Sequence, residues 1–222
     1  MTPAALRVLL LLLVLSTPPA ATATRTMPAA PASGTLTGLL TDPVTGAPLA
    51  HVLVTVGYLT PGFRRATETD AHGRYVITGL PPTTARGIDT YAFAEGYIYH
   101  HGTKQVILAG KTTTYAYHLP RDIFAVRHPR VTSYDVTRVN NHTVRFAMEA
   151  VEGKDSFSDE MFAISPHLGY LVVLRHGHGQ HYDGTLTVPP GTKHGIYRFY
   201  YVATQNDCIS NETFPYRDVM LG

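Results

Sequence analysis

The stretch TETDAHGRYVITGLPP, residues 67–82, decides the fold of the first half of the chain. Asp70 and Gly73 predict a hairpin turn, because an aspartate side chain can accept hydrogen bonds from nearby backbone amides and glycine tolerates a positive φ. The strand that follows begins at Tyr75, and we expect its ring in the core with the hydroxyl near the rim. The stretch therefore indicates a tight turn that leads into a β-strand.

Glycine also marks the end of this strand and the next motif along the chain. Gly79 and Leu80, directly before Pro81, are expected to end the strand, with Leu80 buried. Gly96 precedes Tyr97 and is expected to permit a close backbone approach. None of these side chains is a typical nucleophile or base, so their predicted role is structural.

Further runs that alternate apolar and polar residues surround this stretch. They cover residues 35–40, 52–56, 75–77, 91–94, 106–108 and 114–119, and then 131–136, 144–150, 170–174, 184–188 and 196–204, with 214–221 as a closing edge strand. Short strands at this spacing predict β-sandwiches, and no stretch has sustained helical periodicity. Residues 156–166 are less regular, with room for one helical turn.

The composition excludes disorder and gives no support to nucleic-acid binding. Hydrophobic residues make up 44% of the 222 residues, and charged residues make up 15%, below the roughly 25% of an average soluble protein. Lys and Arg number 18 against 16 Asp and Glu, for a net charge of +2. So small a positive excess does not indicate a nucleic-acid partner.

The N-terminus has the order of a secretory signal peptide, predicted over residues 1–23. Arg7 precedes an apolar run at residues 8–15, and the small residues Ala-Thr-Ala follow at 21–23. The run is far shorter than the ~20 residues that span a bilayer, so no membrane span is expected after cleavage. We therefore expect a protein secreted to the extracellular space or the cell envelope.

Two tandem domains follow the signal peptide and a Pro/Ala-rich linker at residues 24–33. We place the first β-sandwich at residues 34–121, a junction at 122–128 and the second β-sandwich at 129–222. The single cysteine, Cys208, cannot form an internal disulfide. Each sandwich is therefore expected to fold on its own core, as part of a monomer.

The first domain resembles the carboxypeptidase regulatory-like domain. The resemblance lies in GTLTGLLTD at residues 34–42, TGAPL at 45–49, the pattern T-D-x-x-G-x-Y-x-x-x-G-L-P at 69–81, and the pair Gly96-Tyr97. It implies a seven-stranded, transthyretin-like sandwich. The zinc catalytic domain of the peptidases that name the family has no counterpart in these residues, so the resemblance does not imply peptidase activity.

The second domain resembles, more loosely, the immunoglobulin-like modules of secreted bacterial proteins. The resemblance lies in YDGTLTVPPG at residues 182–191 and GIYRFYYVAT at 195–204. It implies a sandwich fold and identifies no ligand.

One histidine-rich segment is a candidate metal site. His176, His178 and His181, with Asp183 two residues further on, combine ligand types that bind Zn or Cu. The alternative is a glycine-loosened hairpin loop whose histidines are solvated, and we favour this alternative. The metal interpretation would make the protein a metal-dependent enzyme or a metal-sequestering protein.

The remaining motifs point to export and binding. Asn141 and Asn211 begin N-glycosylation patterns, which are acceptors if the source is eukaryotic. No catalytic constellation or cofactor motif is recognised. The sequence predicts an exported, non-catalytic binding or structural module whose partner is a glycan or a protein.

Overall fold

The computed structural model describes residues 32–123, 128–151, 160–205 and 209–222. In these ranges every regular element is a β-strand, apart from one turn of 3-10 helix at Pro61–Phe63. The predicted all-β class is therefore confirmed. The predicted signal peptide, most of the linker, residues 124–127 of the junction and Cys208 lie outside the described residues.

In the first sandwich, two mainly antiparallel sheets pack against each other. Its strands are β1 (Gly34–Thr41), β2 (Leu53–Val56), β3 (Arg65–Glu68), β4 (Arg74–Leu80), β5 (Ile88–Phe93), β6 (His100–Gln105), β7 (Thr112–Thr114) and β8 (Tyr117–His118). One sheet has the order β4-β1-β7, and the other has the order β3-β2-β5-β6. Strands β7 and β8 both pair in parallel with β1, at successive positions. Counted as one interrupted strand, they give the seven strands that the resemblance implies.

The second sandwich is one hydrogen-bonded sheet folded onto itself. Its strands are β9 (Arg130–Asn140), β10 (Thr143–Val151), β11 (Met161–Ser165), β12 (Tyr170–His176), β13 (His181–Thr187), β14 (Gly195–Gln205), β15 (Ile209–Ser210) and β16 (Tyr216–Leu221). The order is β15-β14-β11-β12-β13-β10-β9, with β16 also paired to β14. Strands β12 and β13 share only two pairs, so the sheet folds there into the layers β9-β10-β13 and β12-β11-β14-β16. This is an immunoglobulin-like arrangement.

Contacts between these two layers close the second core. The rings of Phe146 on β10 and Phe199 on β14 lie 4.7 Å apart. The Tyr201 hydroxyl donates a hydrogen bond to the Asp135 carbonyl on β9, at 2.6 Å. Both bridge from one layer to the other, so the second sandwich has a complete core of its own.

Three expectations from the sequence differ from the structure. The turn at Asp70 and Gly73 is not a hairpin, because β3 pairs with β2 and β4 pairs with β1 in the opposite sheet. Residues 106–108 are not a strand, since β6 ends at Gln105. Residues 161–165, where a helical turn was allowed, form the strand β11. The predicted closing strand at 214–221 is confirmed as β16, on the edge beside β14.

The inner strands are buried on both faces, and this positions the candidate site. All residues of β2, β5 and β11 are buried. On β11, Met161 and Ala163 face the second core, whereas Phe162 and Ile164 belong to a third apolar cluster. This third cluster combines residues of both sandwiches, so the described chain is a stack of four β-layers with three apolar interiors.

Candidate functional site

The junction between the two sandwiches is the most distinctive site in the structure. Its buried apolar residues are Leu53, Ala66, Tyr91, Phe93 and Tyr99 from the first sandwich and Phe162, Ile164, Leu171 and Val202 from the second. The Phe162 ring lies 5.5 Å from the Phe93 ring and 6.0 Å from the Tyr91 ring. Aromatic packing at these distances is stabilising beyond the area that it buries.

Polar contacts surround this apolar interface. Hydrogen bonds cross it from the Ala66 amide to the Gly169 carbonyl (3.0 Å), from the Tyr99 hydroxyl to the Gln205 carbonyl (3.3 Å) and from the Phe214 amide to the Glu95 carboxylate (3.0 Å), besides one at Tyr91 described below. The Arg65 guanidinium also lies over the Tyr170 ring, 4.9 Å from its centroid. These contacts come from several strands and loops of both sandwiches.

A group of titratable side chains lies at one side of the junction. The Tyr91 hydroxyl donates to the Glu160 carboxylate at 3.5 Å, and the His101 ring stacks on the Tyr91 ring at 4.5 Å. Burial raises the pKa of Glu160, and burial together with the Glu160 charge raises the pKa of Tyr58 and Tyr91. Near neutral pH these phenols are therefore protonated, and they act as hydrogen-bond donors rather than as bases.

The predicted turn motif is formed by backbone hydrogen bonds to Asp70. Its carboxylate accepts hydrogen bonds from the His72 and Arg74 amides, at 2.8 and 2.9 Å. The Arg74 amide is the main cause of the lowered pKa of Asp70. Gly73 has φ of +70°, and a Cβ there would lie 2.5 Å from the Leu40 carbonyl oxygen. Glycine is therefore required at this position for both conformation and space.

The other motif residues contribute to turns and packing, with one correction. The Tyr75 ring is buried as expected, and its hydroxyl donates to the carbonyl of the half-buried Tyr115 at 2.6 Å. Gly79 has φ of +69°, and Leu80 is fully buried. Gly96 is needed for its φ of +77° and not for a close approach, since a Cβ there would meet open space.

Tyr97 takes part in a polar cluster around the buried Asp42 that sequence reasoning missed. Its hydroxyl donates to the Asp42 carboxylate at 3.1 Å, and Arg121 donates to the same oxygen at 2.5 Å. The Val44 and Thr45 amides donate to the other carboxylate oxygen. These hydrogen bonds, led by that of Thr45, hold the pKa of Asp42 well below its usual range. The dipeptide Asp-Pro at residues 42–43 signals the turn, but not the distant partners.

The structure does not bring the candidate metal ligands together. His176 ends β12 and donates a hydrogen bond to the Gly179 carbonyl at 2.7 Å. It pairs with Tyr182 across the hairpin, whereas Asp183 pairs with Arg175. The Asp183 carboxylate also forms an ion pair with the Arg145 guanidinium at 2.7 Å. Because neighbouring residues of a strand point to opposite faces, His176 lies on the opposite face from Asp183.

His181 lies on the same face of β13 as Asp183, and His178 lies at the tip of the loop, where its carbonyl accepts from the His181 amide. Across the described ranges, no three His, Cys, Asp or Glu side chains are placed to hold a metal ion.

The two glycosylation patterns have different environments. Asn141 is exposed in the turn between β9 and β10. Asn211 is only 4% exposed, and its side-chain amide accepts from the Ala203 amide at 2.9 Å and donates to the Tyr201 carbonyl at 3.3 Å. A glycan at Asn211 would require these hydrogen bonds to break. The structure therefore argues against a glycan at Asn211 in the folded chain, and Asn141 is the accessible pattern.

The junction residues themselves were not identified from the sequence. A signal exists, because IDTYAF at β5 and MFAIS at β11 are buried throughout and lack the alternation of a half-buried strand. Such runs indicate strands with two covered faces. They do not identify what covers each face.

One family model matches the first sandwich. Residues 35–119 match the family model of the carboxypeptidase regulatory-like domain. The chain is also similar to three solved structures: the major pilin subunit BcpA of Bacillus cereus (11% identity, 85% of this chain and 69% of that chain, TM-score 0.32), a DUF3823 family protein from Bacteroides ovatus (9% identity, 85% and 98%, TM-score 0.30) and a tetra-tandem repeat in the extending region of a large adhesion protein (14% identity, 85% and 49%, TM-score 0.32). No curated protein matches the chain. In the part of the chain that the structure describes, no helix is long and apolar enough to cross a bilayer.

Proposed function

We propose that this chain, with a carboxypeptidase regulatory-like domain at residues 35–119, is an exported, non-catalytic module whose two sandwiches act as one rigid body and bind a partner at the cell surface or in the medium. The observation that carries the proposal is the apolar junction between the two sandwiches. Interfaces between domains of one chain are commonly polar and permit relative motion. Here Phe93 and Phe162 are buried at the junction with at most 1% of their surface exposed.

Two observations favour a structural role over catalysis. In the loop that begins at His176, the His176 ring and the His181 amide form hydrogen bonds within the β12–β13 hairpin. Most of the strongly shifted pKa values also belong to side chains that pack or form hydrogen bonds inside the fold, such as Tyr75, Tyr91 and His100. For example, burial lowers the pKa of His100 to about 4, and this ring stacks on Tyr117 and contacts the Tyr115 hydroxyl at 2.9 Å. At neutral pH such a histidine is uncharged and packs against the aromatic rings of the first sandwich.

The proposal that the protein is exported rests on the sequence of residues 1–23. The proposal that it binds a partner rests on the exposed strand edges and loops of a rigid scaffold. Strand β9 is an exposed edge strand of 11 residues, and in the described part of the chain its strand pairing is with β10 alone. A strand edge of this kind accepts an added strand from a protein partner. A glycan is the other partner class.

The rigid-body proposal is tested by calorimetry and small-angle X-ray scattering on the mature, exported protein. We expect a single cooperative unfolding transition and a scattering profile that one conformation fits. Two separate transitions, or a profile that needs a mixture of domain orientations, would contradict the proposal. Export is tested by sequencing the N-terminus of the secreted material, which should begin near residue 24.

A further inference from the structure

A groove of about 340 Å³ opens at the junction, on the side where Phe214 meets the first sandwich. Tyr200 and Phe214 form its wall on the second sandwich. The first sandwich supplies the apolar residues Leu49, Ala50, Val52, Leu53 and Ala94 and the polar or aromatic residues His51, Glu68, Glu95 and Tyr97. An aromatic and apolar surface thus lies beside two carboxylates.

The charges of this groove are one-sided. Glu68 contacts the His51 imidazole, whose side chain is 82% exposed. Glu95 is exposed, and one of its oxygens accepts the hydrogen bond of the Phe214 amide. No lysine or arginine lies among the residues that line the groove. The carboxylates therefore face the opening with histidine as the only basic side chain.

A second cavity, of about 380 Å³, continues this acidic surface on the other side of Tyr97. It contains Asp122 and Glu212, whose carboxylate oxygens lie 3.3 and 3.8 Å from Nε2 of His128. Again no lysine or arginine is among the lining residues. Tyr97 lines both cavities, so its ring separates two adjacent acidic sites along the junction.

We propose that this acidic junction binds an extended basic segment of a partner protein, with lysine or arginine side chains directed into the two cavities. The proposal deepens the binding role proposed above and rests on it. Carboxylates form strong charge-assisted hydrogen bonds to ammonium and guanidinium groups, and aromatic faces attract the same cations. The structure contains an example nearby, since the Arg198 guanidinium lies 3.8 Å from the centroid of the Tyr216 ring.

Charge complementarity selects this class of partner over others. The whole chain has a small excess of Lys and Arg, 18 against 16 acidic residues, whereas the residues that line the two cavities contribute four carboxylates and two histidines. The half-exposed Arg121 beside Tyr97 is paired with Asp42, so the carboxylates of the lining still disfavour a phosphate- or sulfate-bearing ligand. A basic segment would be attracted, and its attraction would weaken with salt because the cavities are open to solvent.

The test measures binding of a fluorescent peptide of alternating lysine and glycine to the full-length exported protein by fluorescence anisotropy. The same peptide with acetylated lysines is the matched ligand control. Glu68→Gln with Glu95→Gln removes two charges from the groove and keeps an oxygen acceptor at each position. Asp135→Asn with Glu149→Gln removes two exposed charges from β9 and β10 and is the matched protein control.

We expect the lysine peptide to bind and the acetylated peptide to bind at least about tenfold more weakly. The affinity of the groove variant for the lysine peptide should fall by a similar factor, whereas that of the control variant should fall less than about twofold. Raising NaCl from about 50 to about 150 mM should weaken binding further.

No binding of the lysine peptide, or equal losses in the two variants, would overturn the proposal. So would a neutral oligosaccharide that binds in its place and is displaced from the same groove. The acetylation comparison uses the unaltered protein, so it remains decisive if a variant folds poorly. The scattering test of the rigid body is independent of all these outcomes.

Discussion

The Tyr91 hydroxyl donates a hydrogen bond to the Glu160 carboxylate across the junction, at 3.5 Å. Tyr91 belongs to β5 of the first sandwich, and Glu160 lies directly before β11 of the second. The contact therefore connects an ionisable group to the docking of the two sandwiches. Burial at this place raises the pKa of Glu160, so its charged form is disfavoured in the folded protein.

The first prediction is that Glu160→Gln raises the melting temperature near neutral pH, by on the order of 1–2 °C. The folded state holds the Glu160 proton more tightly than the unfolded state does. Stability therefore falls as pH rises from the unfolded pKa to the folded pKa, and it is constant above both. Glutamine keeps an acceptor for Tyr91 and removes this penalty.

Melting curves of both proteins at pH 3.5 and pH 7 check this prediction. The two melting temperatures should converge at the acidic pH, where Glu160 is protonated in both states. A variant that melts lower than the wild type at pH 7 would show that the carboxylate charge stabilises the junction.

The second prediction is that Phe162→Ala destabilises the protein and loosens the junction. Removing a fully buried phenylalanine ring costs about 3–5 kcal/mol of unfolding free energy. The matched control is Phe146→Ala, which removes an equally buried ring from the interior of the second sandwich. Urea unfolding should give similar losses for both variants, but only Phe162→Ala should broaden the scattering-derived distance distribution. Identical scattering from the two variants would contradict a role for Phe162 in fixing the two sandwiches.

The third prediction concerns the first sandwich in isolation. A fragment of residues 34–121 should fold, because its core is complete, but it should also self-associate. The fragment would expose Leu53, Tyr91 and Phe93, each at most 2% exposed in the whole chain. An apolar surface of this kind drives association. Analytical ultracentrifugation checks this against the full-length protein, and a fragment that stays monomeric at high concentration would show that the junction contributes little.

The fourth prediction compares a core residue with the histidine loop. Tyr75→Ala should cost about 3–5 kcal/mol because it empties a buried site, whereas replacing His176, His178 and His181 together by Ala should cost about 0.5 kcal/mol or less at each position. A chelator should not change the melting temperature of the wild-type protein. A chelator-induced drop that disappears in the triple variant would instead establish a metal site in this loop.

The fifth prediction is that, in a eukaryotic secretory host, only Asn141 is glycosylated. Asn141 lies in an exposed turn, whereas the Asn211 amide is buried and hydrogen-bonded. Mass spectrometry of peptides released from the folded, secreted protein would detect the glycan. Efficient modification of Asn211 would show that the glycan is added before the segment near β15 folds.

Local patterns predicted the parts of the fold that depend on neighbouring residues. The Asp70 turn, the buried Leu80 and the closing strand β16 all follow from short sequence motifs. The apolar triplet at residues 106–108 gave a wrong prediction of a strand, because Ile107 reaches the core from a loop. The Ile107 amide donates a hydrogen bond to the Thr83 hydroxyl, at 2.9 Å. This hydrogen bond, to a side chain 24 positions away, takes the place of pairing with a neighbouring strand, and no local sequence pattern predicts it.

The junction could be predicted only in part. Strand β11 has five consecutive buried residues, so its sequence indicates two covered faces. Which layer lies on each face depends on pairing between distant strands, such as β11 with β14. The same limit applies to Asp42, whose partner Arg121 lies 79 positions away. Long-range partners of this kind are set by the assembled fold.

Strand β11 also constrains how the gene can change. Met161 and Ala163 pack in the core of the second sandwich, whereas Phe162 and Ile164 pack in the junction between the two sandwiches. Because side chains alternate along a strand, a shift of one residue would send each pair to the opposite side. A single-codon insertion or deletion here would thus damage two interiors at once. Recombination that separates the two sandwiches would leave matching apolar faces uncovered on both products. The two halves are therefore expected to be inherited as a unit, and to accumulate substitutions in step across the layer that they share.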